Sequence, residues 1–136
     1  VSALRNLGLD TSTGIHIKDG SGLSRQNYVS ADFFCRFLEA MMHSPAFEEY
    51  VESLPSPGGD GTLKFNMKSY PEELRSRIKV KSGSMNGVRC YSGYITPSTS
   101  EGETIVFSIM TNNCTSPTWK VRPLLDKIMI ILAGCN

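Results

Sequence analysis

The residues of this chain best suited to chemistry are three consecutive ones, Lys81, Ser82 and Gly83. They supply an ammonium, a hydroxyl and an α-carbon without a side chain. Such a trio can attract an anion, hydrogen-bond it and let it lie close against the backbone. The preceding residues alternate, with Ile78 and Val80 apolar and Lys79 and Lys81 charged, which predicts a strand. Taken alone, Lys81 has the character of any solvated strand lysine, and Lys79 is read that way.

Two other stretches imitate catalytic patterns. Ser76-Arg77-Ile78-Lys79 fits S-x-x-K, a serine nucleophile with a lysine base. That chemistry needs both side chains on one face at a helix start, whereas this stretch leads into the alternating strand. Ser84-Met85-Asn86 fits S-x-N but falls in the hairpin that follows Lys81, so Ser84 is expected to act only through its backbone. Asp19 and Ser21, in Asp19-Gly20-Ser21-Gly22, are candidates for substrate contact, although that tetrapeptide is turn chemistry without further help. Asp60, between two glycines, is read as structural, and Arg25 as a candidate partner for a carboxylate. Tyr94 and Trp119 are assigned to the core.

The elements that must position these residues follow from periodicity and breakers. Val1 to Leu9 reads as the end of a helix stopped by Gly8, and His16 to Leu23 as an extended segment entering a turn. Ser30 caps a helix whose apolar face is Phe33, Phe34, Phe37, Leu38 and Met41. A second short helix covers Ala46 to Leu54 and ends at Pro55. Ser56 to Thr62 is a glycine-rich loop, and Tyr70 to Arg77 a short helical or irregular link. Strands are predicted over Arg77–Ser84, Val88–Thr96 and Thr104–Thr111, joined by short hairpins and therefore antiparallel. The third strand is apolar on both faces and should be covered on both. A C-terminal helix opens at Ser116-Pro117, or later because of Pro123. Leu124, Leu125, Ile128, Met129 and Leu132 form its apolar stripe, and Gly134 stops it.

Length and composition suit one globular domain over residues 1–136, with 40% hydrophobic residues and a net charge of +1. That charge gives no reason to expect nucleic acid as a partner. No apolar run is long enough to span a membrane. Cys35, Cys90, Cys114 and Cys135 show no metal-ligand spacing and are read as buried free thiols, one disulfide being the alternative in an exported protein. With only His16 and His43 available, no metal site and no cofactor is expected. The sequence opens at Val1 without a signal-peptide pattern, as a mature or excised chain would.

Three blocks taken together and in order carry a resemblance. They are Asp19-Gly20-Ser21-Gly22-Leu23-Ser24-Arg25, then Leu54-Pro55 with Gly59-Asp60-Gly61-Thr62-Leu63, then Lys81-Ser82-Gly83 opening a hairpin into Gly93-Tyr94. The chain resembles the C-terminal portion of class C low-molecular-mass penicillin-binding proteins, the serine D-alanyl-D-alanine carboxypeptidases and endopeptidases that trim peptidoglycan. The DGSGLSR block separates it from serine β-lactamase and glutaminase relatives. The resemblance implies three active-site motifs, S-x-x-K, S-x-N and K-[ST]-G. Only the third is matched at its expected place, with serine where threonine is commoner. The nucleophile and its lysine are then outside this chain.

The resemblance also implies roles. Lys81 and Ser82 would act on the terminal carboxylate of the D-Ala-D-Ala stem peptide, and Gly83 would let the peptide approach. The Ser84 N–H would supply one donor of the oxyanion hole, a contribution of roughly 2.7–4 kcal/mol in the transition state. Asp19 and Ser21 join them as candidate substrate contacts. β-Lactams would be further ligands, and the location would be periplasmic or otherwise outside the cytoplasm. The expected fold is α+β, an antiparallel sheet flanked by helices, part of a penicillin-binding transpeptidase fold. The alternative function is a non-catalytic module of the same fold that binds peptidoglycan or protein. A chain forming only part of such a domain should expose an apolar face and self-associate or be marginally stable.

Overall fold

The structure is a computed structural model that describes residues 1–135. Its core is one antiparallel sheet of β3 (Ile78–Met85), β4 (Val88–Ile95) and β5 (Ile105–Thr111), in that order. β3 and β4 are joined through Asn86 and Gly87, and β4 and β5 through the longer segment 96–104. Gly87 makes the first hairpin possible by taking φ +74°, a conformation side chains resist. The register sets Ser82 opposite Tyr91, Gly83 opposite Cys90 and Gly93 between Val80 and Phe107.

Strand alternation divides the sheet into two faces. Ile78, Val80, Tyr91, Ile95 and Phe107 point to one face, where α5 (Thr118–Gly134) covers them with Leu125, Met129, Ile130 and Ala133. Tyr94 and Val106 point to the other. There α2 (Ala31–Met42) brings Leu38, and α3 (Phe47–Glu52) brings Phe47, Tyr50 and Val51. Tyr94 is fully buried and donates from its hydroxyl to the Leu38 carbonyl at 2.8 Å. Phe47 meets its ring edge-on at 5.4 Å. The third strand is thus packed on both faces, as its double-sided apolar pattern requires.

The smaller elements are α1 (Ser2–Asn6), the two-residue pair of β1 (Ile15–His16) with β2 (Tyr28–Val29), and α4 (Glu72–Arg75). The β1–β2 pair escapes prediction because two residues hold no alternation to read. Ser30 does cap α2, its hydroxyl accepting from the Phe33 N–H at 3.0 Å.

The last helix departs from expectation in three ways. Pro117, not Ser116, stands at the N-cap, and the helix runs straight through Pro123. The first turn closes by a tighter bond, Lys120 N–H to Pro117 carbonyl at 2.9 Å. Leu125, Met129 and partly Leu132 face inward, but Leu124 and Ile128 are exposed at 64% and 43%. The stripe is rotated because Ile130 and Ala133 share the buried side. Trp119 is no core residue. It is 68% exposed, with the Lys120 ammonium 5.3 Å above its ring. The four cysteines are unpaired, but Cys35, Cys90 and Cys114 are only half-buried and Cys135 is exposed, so the buried-thiol expectation fails there.

Candidate functional site

β3 is an edge strand, and no further strand lies beyond it among the described residues. Which backbone groups face out is fixed by one bond. The Val80 N–H donates to the Pro55 carbonyl at 3.0 Å, away from β4. In an antiparallel ladder the outward positions recur every second residue. The N–H groups of Ser82 and Ser84 therefore also face the outer edge, past the point where Pro55 covers it.

The side chains around that edge are arranged unequally. Lys81 and Ser84 are exposed, Ser82 is half-buried and Gly83 is exposed. The alternation sends Lys81 and Ser82 to opposite faces, so they do not meet on one face. They meet at the edge instead, where the Lys81 ammonium donates to the outward carbonyl of Ser82 at 2.9 Å. At Gly83 a Cβ would find only the Cys90 Cβ, at 3.9 Å. The strand surface there is open. Gly93, on the next strand, is the opposite case. A Cβ there would strike the Lys79 carbonyl oxygen and lie 2.8 Å from the Val80 Cα. Only glycine lets β4 come this close behind the strand that carries Lys81.

Asp19 and Ser21 sit apart from this edge, in the loop between β1 and β2. The Asp19 carboxylate accepts from the Ser21 N–H and hydroxyl at 3.1 and 3.0 Å and from the Asn27 amide at 3.0 Å. The Asn27 bond, above all, holds its carboxyl below the ordinary value. Asn27 in turn accepts from the Lys18 N–H at 2.7 Å. Both candidates are engaged in holding a turn. The imitation motifs separate as their settings require. Ser76 ends α4 while Lys79 lies on β3, and Ser84 and Asn86 straddle a strand end.

Behind Ser82 and Ser84 lies a polar cluster that sequence reasoning did not single out. Tyr91, opposite Ser82, is fully buried, and its hydroxyl accepts from Arg89 at 2.6 Å and Asn66 at 3.2 Å. Arg89, opposite Ser84, also stacks its guanidinium 4.8 Å from the Tyr91 ring centre. Asp126 of α5 is 5% exposed, with Arg122 at 3.8 Å. Burial pushes its carboxyl above the ordinary value, and Arg122, the Tyr91 hydroxyl and Arg89 offset part of that rise. The one sequence signal was an acid inside an apolar helix stripe.

Residues 1–127 match the D-Ala-D-Ala carboxypeptidase 3 (S13) family. The chain belongs to that family. A D-alanyl-D-alanine carboxypeptidase of Actinomadura sp. (strain R39) is 38% identical over 120 residues, covering 85% of this chain and 21% of the relative. Carboxypeptidase DacB of Mycolicibacterium smegmatis is 30% identical over 140 residues, covering 100% of this chain and 29% of its own length. Penicillin-binding protein 4 of Haemophilus influenzae superposes with a TM-score of 0.78 at 26% identity, over 98% of this chain and 29% of that structure. A second structure of that protein, in complex with a β-lactam, superposes with a TM-score of 0.77. This S13 chain thus spans less than a third of the length of these relatives. The α+β fold expected from the three blocks is the fold found, an antiparallel sheet with helices on both faces.

Proposed function

We propose that this chain is the C-terminal part of the catalytic domain of a serine-type D-alanyl-D-alanine carboxypeptidase, and that it supplies the strand that grips the substrate. The observation that carries this reading is the uncovered edge of β3 beyond Pro55. It presents a cation, a hydroxyl, an open glycine and outward N–H groups over four successive residues. A peptide laid along such an edge gains backbone hydrogen bonds. The Lys81 ammonium can leave the Ser82 carbonyl for a peptide carboxylate, a stronger, charge-assisted partner. The Ser84 N–H then points where a carbonyl oxygen would develop charge.

In this reading the parent protein's serine attacks the penultimate D-alanine carbonyl. The C–N bond breaks, D-alanine leaves as the amine, and water hydrolyses the acyl-enzyme. β-Lactams acylate the same serine, and cleavage of cross-links is a variant of the same chemistry. The stem-peptide substrate places the protein outside the cytoplasm. Asp19 and Ser21 enter as the turn that holds the β1–β2 loop rather than as direct ligands. The nucleophile belongs to another segment, so the 136-residue chain alone is expected not to label covalently with a fluorescent penicillin. A stable adduct on any of its serines, located by peptide mass mapping, would overturn the assignment.

The exposed side chains of Leu124, Ile128 and Ile131 line one side of α5, at 64%, 43% and 53%. This supports the expectation that the isolated chain associates with itself through that helix. Light scattering should then give a mass above that of the monomer. A monomer mass with high thermal stability would count against both the association and the partial-domain reading.

A further inference from the structure

We propose that the segment from Pro55 to Gly58, pinned by Arg75, is the end wall of the peptide groove and limits how far a chain can run past the bond that is cleaved. This inference rests on the function proposed above, which sets the direction of the peptide. Its carboxylate end meets Lys81 and its reacting carbonyl meets the Ser84 N–H. Any extension of the chain therefore runs from Gly83 toward Val80. Register says where it must stop. On an antiparallel edge, a residue paired with Ser84 is followed by residues opposite Gly83, Ser82 and Lys81, each step taking about 3.4 Å. The terminal D-alanine takes the place opposite Gly83. A chain that continues comes at last opposite Val80, whose outward N–H already donates to the Pro55 carbonyl at 3.0 Å.

The wall is held from behind. The Arg75 guanidinium donates through Nε to the Tyr70 carbonyl at 3.0 Å and through Nη1 to the Pro57 carbonyl at 3.1 Å. These two bonds tie the segment to α4. Gly58 takes φ +79° and leaves room for the guanidinium, because a Cβ there would strike Arg75 Nη1. The Gly58 N–H donates to the Leu63 carbonyl at 3.0 Å, and Leu54, Pro57 and Leu63 are buried. Without such ties a glycine-rich loop yields to a peptide that presses along the edge. One planar, permanently charged fork fixes two of its carbonyls and makes it a firm stop. Arg75 is a positioning residue that acts through Pro57 and Pro55.

The test uses the longer polypeptide that contains this segment and measures how peptides slow its labelling by a fluorescent penicillin. One peptide ends in D-Ala-D-Ala. A second adds a single threonine, and a third adds Thr-Val-Thr-Val, residues that favour an extended chain. With the wall in place, the long extension is expected to compete about tenfold more weakly than the short one, as when a pair of backbone hydrogen bonds cannot form. In Arg75→Ala the gap should close to less than about threefold. Arg75→Lys, which keeps a cation but loses the fork, should fall between. Long and short extensions that compete equally in the wild type, or do not compete at all, would sink the proposal. So would an Arg75→Ala variant with a lowered melting temperature and an unchanged gap. If Arg75→Ala fails to fold, Gly58→Ala, which pushes the guanidinium aside, takes its place, and the wild-type comparison decides in either case. Lys81→Ala run alongside separates the two levels. If that variant loses the advantage of the unextended peptide over the short extension, while the wild type shows no gap between short and long, only this inference falls. If the advantage survives without Lys81, the strand reading fails, and this inference with it.

Discussion

Replacing Gly93 with alanine is expected to destabilise the fold by about 3 kcal/mol, the upper end of what overpacking usually costs. The added Cβ would strike the Lys79 carbonyl oxygen and come within 2.8 Å of the Val80 Cα. Both obstacles are backbone atoms, which cannot turn aside as a flexible side chain can. β3 must shift outward or the ladder must break near its middle. For a chain of this size the loss corresponds to a fall of about 10 °C in melting temperature, measurable by circular dichroism. Because the strand that moves is the one carrying Lys81, the same substitution in the longer polypeptide should also slow acylation by a β-lactam. A Gly93→Ala variant with wild-type melting would mean that the two strands do not approach this closely.

The second large effect is on activity. In the longer polypeptide, Lys81→Ala is expected to slow acylation by a β-lactam by roughly 10- to 150-fold, the range set by losing a hydrogen bond to a charged group. The expectation comes from placement. The ammonium is exposed and lies on the free edge, with only its own strand's Ser82 carbonyl as a partner among the described residues. It supports nothing in the core, so its removal should leave the melting temperature nearly unchanged. Lys79→Ala is the control, since Lys79 precedes the uncovered part of the edge. Stopped-flow acylation rates that are equal for wild type and Lys81→Ala would remove the substrate-gripping role.

The elements that were legible in the sequence are those with a period long enough to read. The eight-residue alternation of β3, the apolar face of α2 behind Ser30 and the two-sided apolar run of β5 each dictated an element that the structure contains. The inner side of α5 was harder. Ten apolar residues around one helix leave two competing stripes, and only the sheet below decides that Met129 goes in and Ile128 goes out. Trp119 misled because size and hydrophobicity do not reveal which side chains of a first turn face solvent. At the site, the consecutive residues Lys81 to Ser84 could be read directly. Their backing could not, because Tyr91, Arg89, Asn66 and Asp126 come from three separate segments whose meeting depends on register and helix rotation.

The Pro55 carbonyl on the Val80 N–H has a consequence for the protein's behaviour in crowded solution. A bare sheet margin invites other chains to stack onto it and seed fibrils. Here a proline-ended stub blocks one end of that margin, and a protruding ammonium guards what remains. On this edge of the sheet only a short length stays open to a peptide tail.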